Sequence, residues 1–139
     1  VSNFITGAVP ESKDLTQATF NNCIIYGSYS NEMLLNKKAT SVFNYQFNHC
    51  LLKFNNSSNL FTNDPLYKFE TDATHYSGII LNKDPKFFKV NQNQLYIDNT
   101  SAAFAKGNLS YLIPLDILGT SRTLPPDLGA YQNKAFPKK

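Results

Sequence analysis

At 139 residues and 15.7 kDa the chain is long enough for one core and too short for two comfortable ones. With 42% hydrophobic and 17% charged residues and a mean hydropathy of -0.33, it is too apolar for a disordered chain and too polar for a membrane protein. The formal charge of +3 sets 12 Lys and a single Arg against 10 acidic residues, with adjacent basic residues only in the pairs Lys37-Lys38 and Lys138-Lys139. Nucleic-acid surfaces concentrate Lys and Arg on one face and favour the Arg fork, so no nucleic-acid partner is expected.

In chain order, the opening Val1 to Thr6 is strand-like, with no basic start and no apolar run of signal-peptide length. Lacking an initiator Met, it reads as a processed or excised part of something longer. The apolar segments that follow are short, rich in β-branched and aromatic residues, and bounded by Asn, Asp, Ser, Gly or Pro. They include Phe20, Cys23 to Tyr26, Met33 to Leu35, Val42-Phe43, Tyr45, Phe47, Cys50 to Leu52, Gly78 to Leu81, Phe87-Phe88 and Leu95 to Ile97. Asn, at 17 residues, tolerates left-handed backbone and closes turns, which points to many turns and few helices. Leu15 to Thr19 and Ser101 to Ala105 are the best candidates for single helical turns. No segment approaches the ~18 apolar residues of a spanning helix.

The strands repeat. Phe20-Asn21-Asn22-Cys23-Ile24-Ile25 and Phe47-Asn48-His49-Cys50-Leu51-Leu52 share Phe, Asn and Cys in register, 27 residues apart (50 − 23). One such period is about one turn of a solenoid, in which equivalent residues stack on parallel strands ~4.8 Å apart. The expected core stack is therefore Phe20 on Phe47, Cys23 on Cys50 and Ile24 on Leu51. A third, degraded copy runs from Tyr76 to Leu81, with Ile79 falling 28 residues after Leu51.

These residues carry a resemblance. Asn22-Cys-Ile-Ile-Tyr-Gly27, followed by Asp84-Pro-Lys-Phe87, Leu95-Tyr-Ile97, Ser101-Ala-Ala-Phe104 and Gly107, resembles the late coils of bacterial right-handed parallel β-helix repeat proteins. Asp116-Ile-Leu-Gly119, Arg122 and Pro126-Asp-Leu-Gly-Ala-Tyr131 are similar to that family's closing signature, with Gln132 in place of its final Glu. Ala102 and Ala105 stand where the family usually has Pro and Asp. The resemblance implies an all-β chain, the last coils of a right-handed parallel β-helix plus a C-terminal cap. Coils with loops would occupy about 1–97 and the closing and cap segment about 98–139 of a single unit. It also implies an exported protein of the bacterial envelope, surface or exterior. Upstream coils or another chain would cover the N-terminal coil, and a polysaccharide is the expected ligand. The favoured function is a non-catalytic structural or carbohydrate-contacting end module. The alternative is the tail of a polysaccharide lyase or glycoside hydrolase whose active groove lies upstream.

For the closing motif the expectation is a stability element. Arg122, the sole Arg, calls for a planar fork on a carboxylate or on several carbonyls. Gly119 and Gly129 read as positive-φ turns, Asp116 and Asp127 as its polar anchors, and Tyr131 as the plug of the last gap. No catalytic residue, metal or cofactor is assigned. Asp64, Asp72, Asp84 and Asp98 are 8 to 14 residues apart, too sparse for the six to eight oxygens of calcium, and two of them precede Pro as turn starters. His49 aligns with Asn22 at a turn position. His75 lies three residues after Asp72 with no activated nucleophile beside it. Cys23 and Cys50 are expected as free, apolar thiols, because identical positions on parallel neighbours point the same way and make poor disulfide torsions.

Overall fold

The computed structural model of the chain describes residues 1–5 and 11–137; Thr6, Lys138 and Lys139 lie outside them. Strands β1 (Phe4–Ile5) and β2 (Glu11–Ser12) pair antiparallel. The rest of the regular structure is two parallel sheets of three strands each. The first holds β3 (Thr19–Asn21), β5 (Gln46–Asn48) and β7 (Tyr76–Ser77). The second holds β4 (Ile24–Ile25), β6 (Leu51–Leu52) and β8 (Ile80–Leu81). Each sheet takes one strand from each of three successive coils, the arrangement of stacked β-solenoid coils. Among the described residues there is no α-helix, only three single 3-10 turns, and no helix long and apolar enough to cross a membrane.

Register follows the repeat. Phe20 pairs with Phe47 and Ile24 with Leu51, the 27-residue offset read from the sequence. The Phe20 and Phe47 rings stack at 4.6 Å and 6°, and Tyr76 continues the column against Phe47 at 5.9 Å. The third coil is in a different register from that expected. Ile80, and not Ile79, lies beside Leu51, an offset of 29 residues (80 − 51), because the loop carrying Phe61, Tyr67 and Phe69 is longer than the loop of the first coil. The segment Leu15 to Thr19 is likewise no helical turn. Leu15 bridges Phe43 in parallel and Thr19 opens β3, since the aligned second-coil residues offer them backbone partners. Ser101 to Ala105 does turn, its Ser101 hydroxyl accepting the Ala103 N–H at 3.0 Å.

Between the two sheets the chain bends at one residue per coil: Asn22, His49 and Gly78, with φ of 52°, 51° and 62°. Only a left-handed residue makes this corner, which explains why Asn, His and Gly share the position. A Cβ on Gly78 would come within 2.8 Å of the His49 ring, so the imidazole rests on the bare glycine.

Alternation of faces then separates two cores. Val42 to Phe47 reads outward, inward, outward, inward, and Phe43, Tyr45 and Phe47 enter the interior with Cys50, Leu52, Phe20, Cys23 and Ile79. Ile24, Leu51 and Ile80 point to the opposite face of the second sheet. There they meet a second apolar cluster of Ile97, Ala103 and Leu128. Leu51 is fully buried, so the closing segment is a covering layer for this face. Its hydrogen bonds also reach back to the first coil: Gly129 N–H donates to Asn22 O at 2.7 Å, and Asn108 N–H to Asn22 Oδ1 at 2.8 Å. The closing segment thus straps the side of the stack as well as following its last coil.

Candidate functional site

The outward face of the first sheet presents side chains in rows, because parallel strands in register place like positions side by side. One row is Thr19, Gln46 and the residue before Tyr76, His75; the next is Asn21, Asn48 and Ser77. Asn48 Nδ2 donates to Asn21 Oδ1 at 2.9 Å, an amide ladder that leaves the remaining amide and hydroxyl groups facing outward. Beside it, Asn44 Nδ2 donates to Thr16 O at 3.2 Å and Gln46 Nε2 to Thr74 O at 3.4 Å. A hollow of about 300 Å³ lies over these residues, lined by Thr16, Gln17, Thr19, Asn44, Gln46, Thr74 and His75 with Ala18 and Tyr45. Its lining carries no charged side chain other than His75 in its protonated form.

His75 closes one side of the hollow. Its Nδ1 lies 2.7 Å from Asp72 Oδ2, while Asp72 Oδ1 accepts the Thr74 and His75 N–H groups at 3.1 and 3.3 Å. The ring stacks on Tyr45 at 4.2 Å. A carboxylate on Nδ1 demands the proton there, so neutral His75 keeps Nε2 as an acceptor. With Nδ1 taken by Asp72, Nε2 is the ring nitrogen left for another partner among the neighbouring amide and hydroxyl groups. Asp64, Asp84 and Asp98 act separately, each accepting the N–H two residues ahead. Among the described residues no three His, Cys, Asp or Glu side chains converge as for a metal.

The residues of the closing motif fall into two groups. Arg122 Nη2 donates to Gly129 O at 2.8 Å and Nη1 to Tyr131 O at 3.3 Å, a fork on two carbonyls. Asp116 lies in the same group and accepts N–H bonds from Leu118 and Thr120 at 2.8 Å and from Gln132 at 2.9 Å. Burial pushes its carboxyl up, and those three N–H groups together with Arg122 outweigh burial and hold it below the usual carboxylate range. Asp127, 1% exposed, stands apart and accepts from Ala105 N, Asn133 N and Asn133 Nδ2 at 2.8 to 2.9 Å. Gly119 and Gly129 have φ of 78° and 92°. Tyr131 is half-buried, whereas Leu128 is 1% exposed, so the leucine fills the space beneath this segment.

Cys23 and Cys50 are free thiols on adjacent coils. Cys23 Sγ donates to Asn21 O at 3.2 Å and Cys50 Sγ to Phe20 O at 3.4 Å; the neighbouring Cys50 thiol draws the Cys23 thiol down to about 7 against the desolvation that opposes it, and the same pairing with burial drives Cys50 up. Of the tyrosines, Tyr45, Tyr67 and Tyr76 belong to the interior, and Tyr29 is 75% exposed.

Asn108 and the hollow over Thr16 to Thr19 and Asn44 to Gln46 are not among the positions the sequence motifs single out. Asn108 carries no local signal of its role, which is to hold Asn22 and, at 3.0 Å, His49 Nε2, residues far away in the chain. The hollow had a usable signal: the alternating polar positions Asn44, Gln46 and Asn48 recur one period from Gln17, Thr19 and Asn21. No family model matches this chain, and neither a curated protein nor a solved structure does.

Proposed function

We propose that this chain is the closing portion of a right-handed parallel β-helix in an exported bacterial protein, and that it contacts polysaccharide without catalysing a reaction. The observation that carries the reading is the outward face of the first sheet. In-register rows of Thr, Gln, Asn and Ser, with His75 oriented by Asp72, make a field of donors and acceptors over a hollow whose lining has no Lys, Arg, Asp or Glu. Neutral hydroxyl-rich chains complement such a field. A ligand running along the stack would meet the same chemistry at every coil, because like sits beside like. The closing segment 98–139 serves as cap and strap, its Asp116, Arg122 and Asp127 bonded to backbone of their own segment.

The test is a titration of the isotopically labelled protein with neutral and uronic polysaccharide fragments, read by amide chemical shifts. Binding centred on Gln17, Asn44, Gln46 and Thr74, weakened on the order of tenfold by Gln46→Ala at unchanged melting temperature, supports the proposal; a lost hydrogen bond of ~1.4 kcal/mol is worth that factor. Shifts confined to the closing motif, or no shifts at ~10 mM ligand, where even very weak binding registers, would overturn it.

A further inference from the structure

We infer that the free edge of the first coil, together with Ile113, Leu115 and Ile117 of the closing segment, is a docking surface for one more parallel coil. It rests on the reading of this chain as part of a longer β-helix and adds which residues receive the next coil and what chemistry that coil has.

Among the described residues, strands β3 and β4 are the terminal strands of both sheets on the same side of the stack. Their bonds to the second coil use alternate residues: Gln46 N–H donates to Ala18 O, Leu51 N–H to Cys23 O and Lys53 N–H to Ile25 O. In a parallel ladder the intervening residues, Thr19 and Ile24, turn their N–H and C=O groups to the other side. Neither strand carries the Lys, Glu or Pro with which free edges are commonly guarded. Interior burial is graded in the same sense. Phe47, Cys50 and Leu52 are 0 to 1% exposed, while Phe20, Cys23 and Ile25, one coil closer to the edge, are only half-buried.

The closing segment overhangs this edge. Ile113, Leu115 and Ile117 are 70%, 51% and 67% exposed, an unusual row for aliphatic side chains. They form one wall of a groove of about 550 Å³, and the solenoid residues of its other wall, Asn21 to Ile24, all belong to the first coil. The outer core of Ile24, Leu51 and Ile80 is thus bordered, at its first coil, by the exposed aliphatic row of the closing segment.

Continuity with the existing ladders selects the occupant. A parallel bridge already stands at this level elsewhere in the coil, since Ser2 pairs in parallel with Asn36, and Asn36 N–H donates to Val1 O at 2.9 Å. A coil completing the level would run parallel to β3 and β4. It would place an aromatic on Phe20, a left-handed Asn, His or Gly on Asn22, a small apolar residue on Cys23, and an aliphatic on Ile24 against Ile113 and Ile117.

The experiment duplicates residues 15–42 ahead of Leu15 in the full chain, so that the added coil arrives with the spacing that separates Leu15 from Phe43. Ile117→Asp is then introduced into both the parent and the extended chain. The expected result is a single unfolding transition for the extended chain and slow hydrogen exchange at the Asn21 to Ile25 edge. Ile117→Asp should shift the parent by ~1 °C or less and lower the extended chain by on the order of 5 °C. Equal effects of Ile117→Asp in both chains, or an added coil that exchanges freely, would overturn the inference. So would a parent chain that sediments as a dimer and is made monomeric by Ile117→Asp, which would give the surface to a second copy. Saccharide titration of the same variants separates the two readings, because the hollow over Gln46 and the groove beside Ile117 share no lining residue. Lost saccharide binding with intact docking would overturn only the carbohydrate proposal.

Discussion

Replacing Arg122 by Lys keeps the charge and removes the fork. In the native arrangement one guanidinium holds Gly129 O at 2.8 Å and Tyr131 O at 3.3 Å. An ammonium on a flexible stem can keep the shorter bond and cannot span both carbonyls in the plane the guanidinium uses. The loss is one long charge-assisted hydrogen bond, about 1–2 kcal/mol against the 1.5–3 kcal/mol of a well-formed one. For a chain of this size 1 kcal/mol moves the melting temperature by roughly 4 °C, so Arg122→Lys should lower it by about 4–8 °C. Arg122→Ala, which strands both carbonyls, should cost about 2–4 kcal/mol. Gly129 also donates to Asn22 O, so loosening this clamp should raise hydrogen exchange at Gly129 and at the first-coil corner before the interior strands respond. Calorimetry, with urea titration as a second measure, reads the energies. An Arg122→Lys protein that melts within 1 °C of the parent, or one of intact stability that loses ligand binding, would refute the clamp and move the functional site to this motif.

Asp116 makes the strap acid-labile. Its folded-state carboxyl lies below the ordinary value, so its stabilisation is complete above the unfolded carboxylate value near 4 and is lost as pH falls through the depressed folded value. Asp116→Asn should flatten the decline of melting temperature below about pH 4, and an unchanged acid limb would contradict this assignment. In the interior column Phe47 is flanked by Phe20 and Tyr76, whereas Phe20 has one aromatic neighbour in the stack. Phe47→Ala should therefore cost about 3–5 kcal/mol and Phe20→Ala clearly less, measured by chemical denaturation; equal costs would mean that the column is not stacked in this order. Iodoacetamide should modify the half-buried Cys23 with a midpoint near pH 7 while Cys50 reacts only on unfolding, and Cys50→Ala should move that midpoint upward; preferential modification of Cys50 in the folded protein would reverse the assignment.

The coil repeat was legible in the chain because a parallel stack puts each residue beside its counterpart, so selection for packing leaves like residues one period apart. Phe20 and Phe47, Cys23 and Cys50, and Asn21 and Asn48 show it directly. The corner was legible at Asn22 and His49, which align as a turn position; Gly78, with the same left-handed backbone, joins them only through the observed register of the third coil. Face assignment was only half written there. A run such as Cys23-Ile24-Ile25 is apolar at every position, which shows burial on both faces of a strand but not which chain segment supplies the second cover. That cover comes from Ile97, Ala103 and Leu128, brought to Ile24, Leu51 and Ile80 by a path through turns whose directions local composition does not specify. The register of Ile80 with Leu51 was equally a tertiary outcome, because the loop between the second and third coils absorbs two additional residues while packing Phe61, Tyr67 and Phe69 around Phe54. Asn108 illustrates the limit most plainly: an ordinary Asn in the sequence, it bonds Asn22 and His49 only because the strap lies along the corner of the stack. Short-range backbone preference and like-on-like stacking are properties of neighbouring residues and of a fixed period. The closing segment's placement depends on contacts 86 residues apart, which the fold alone creates.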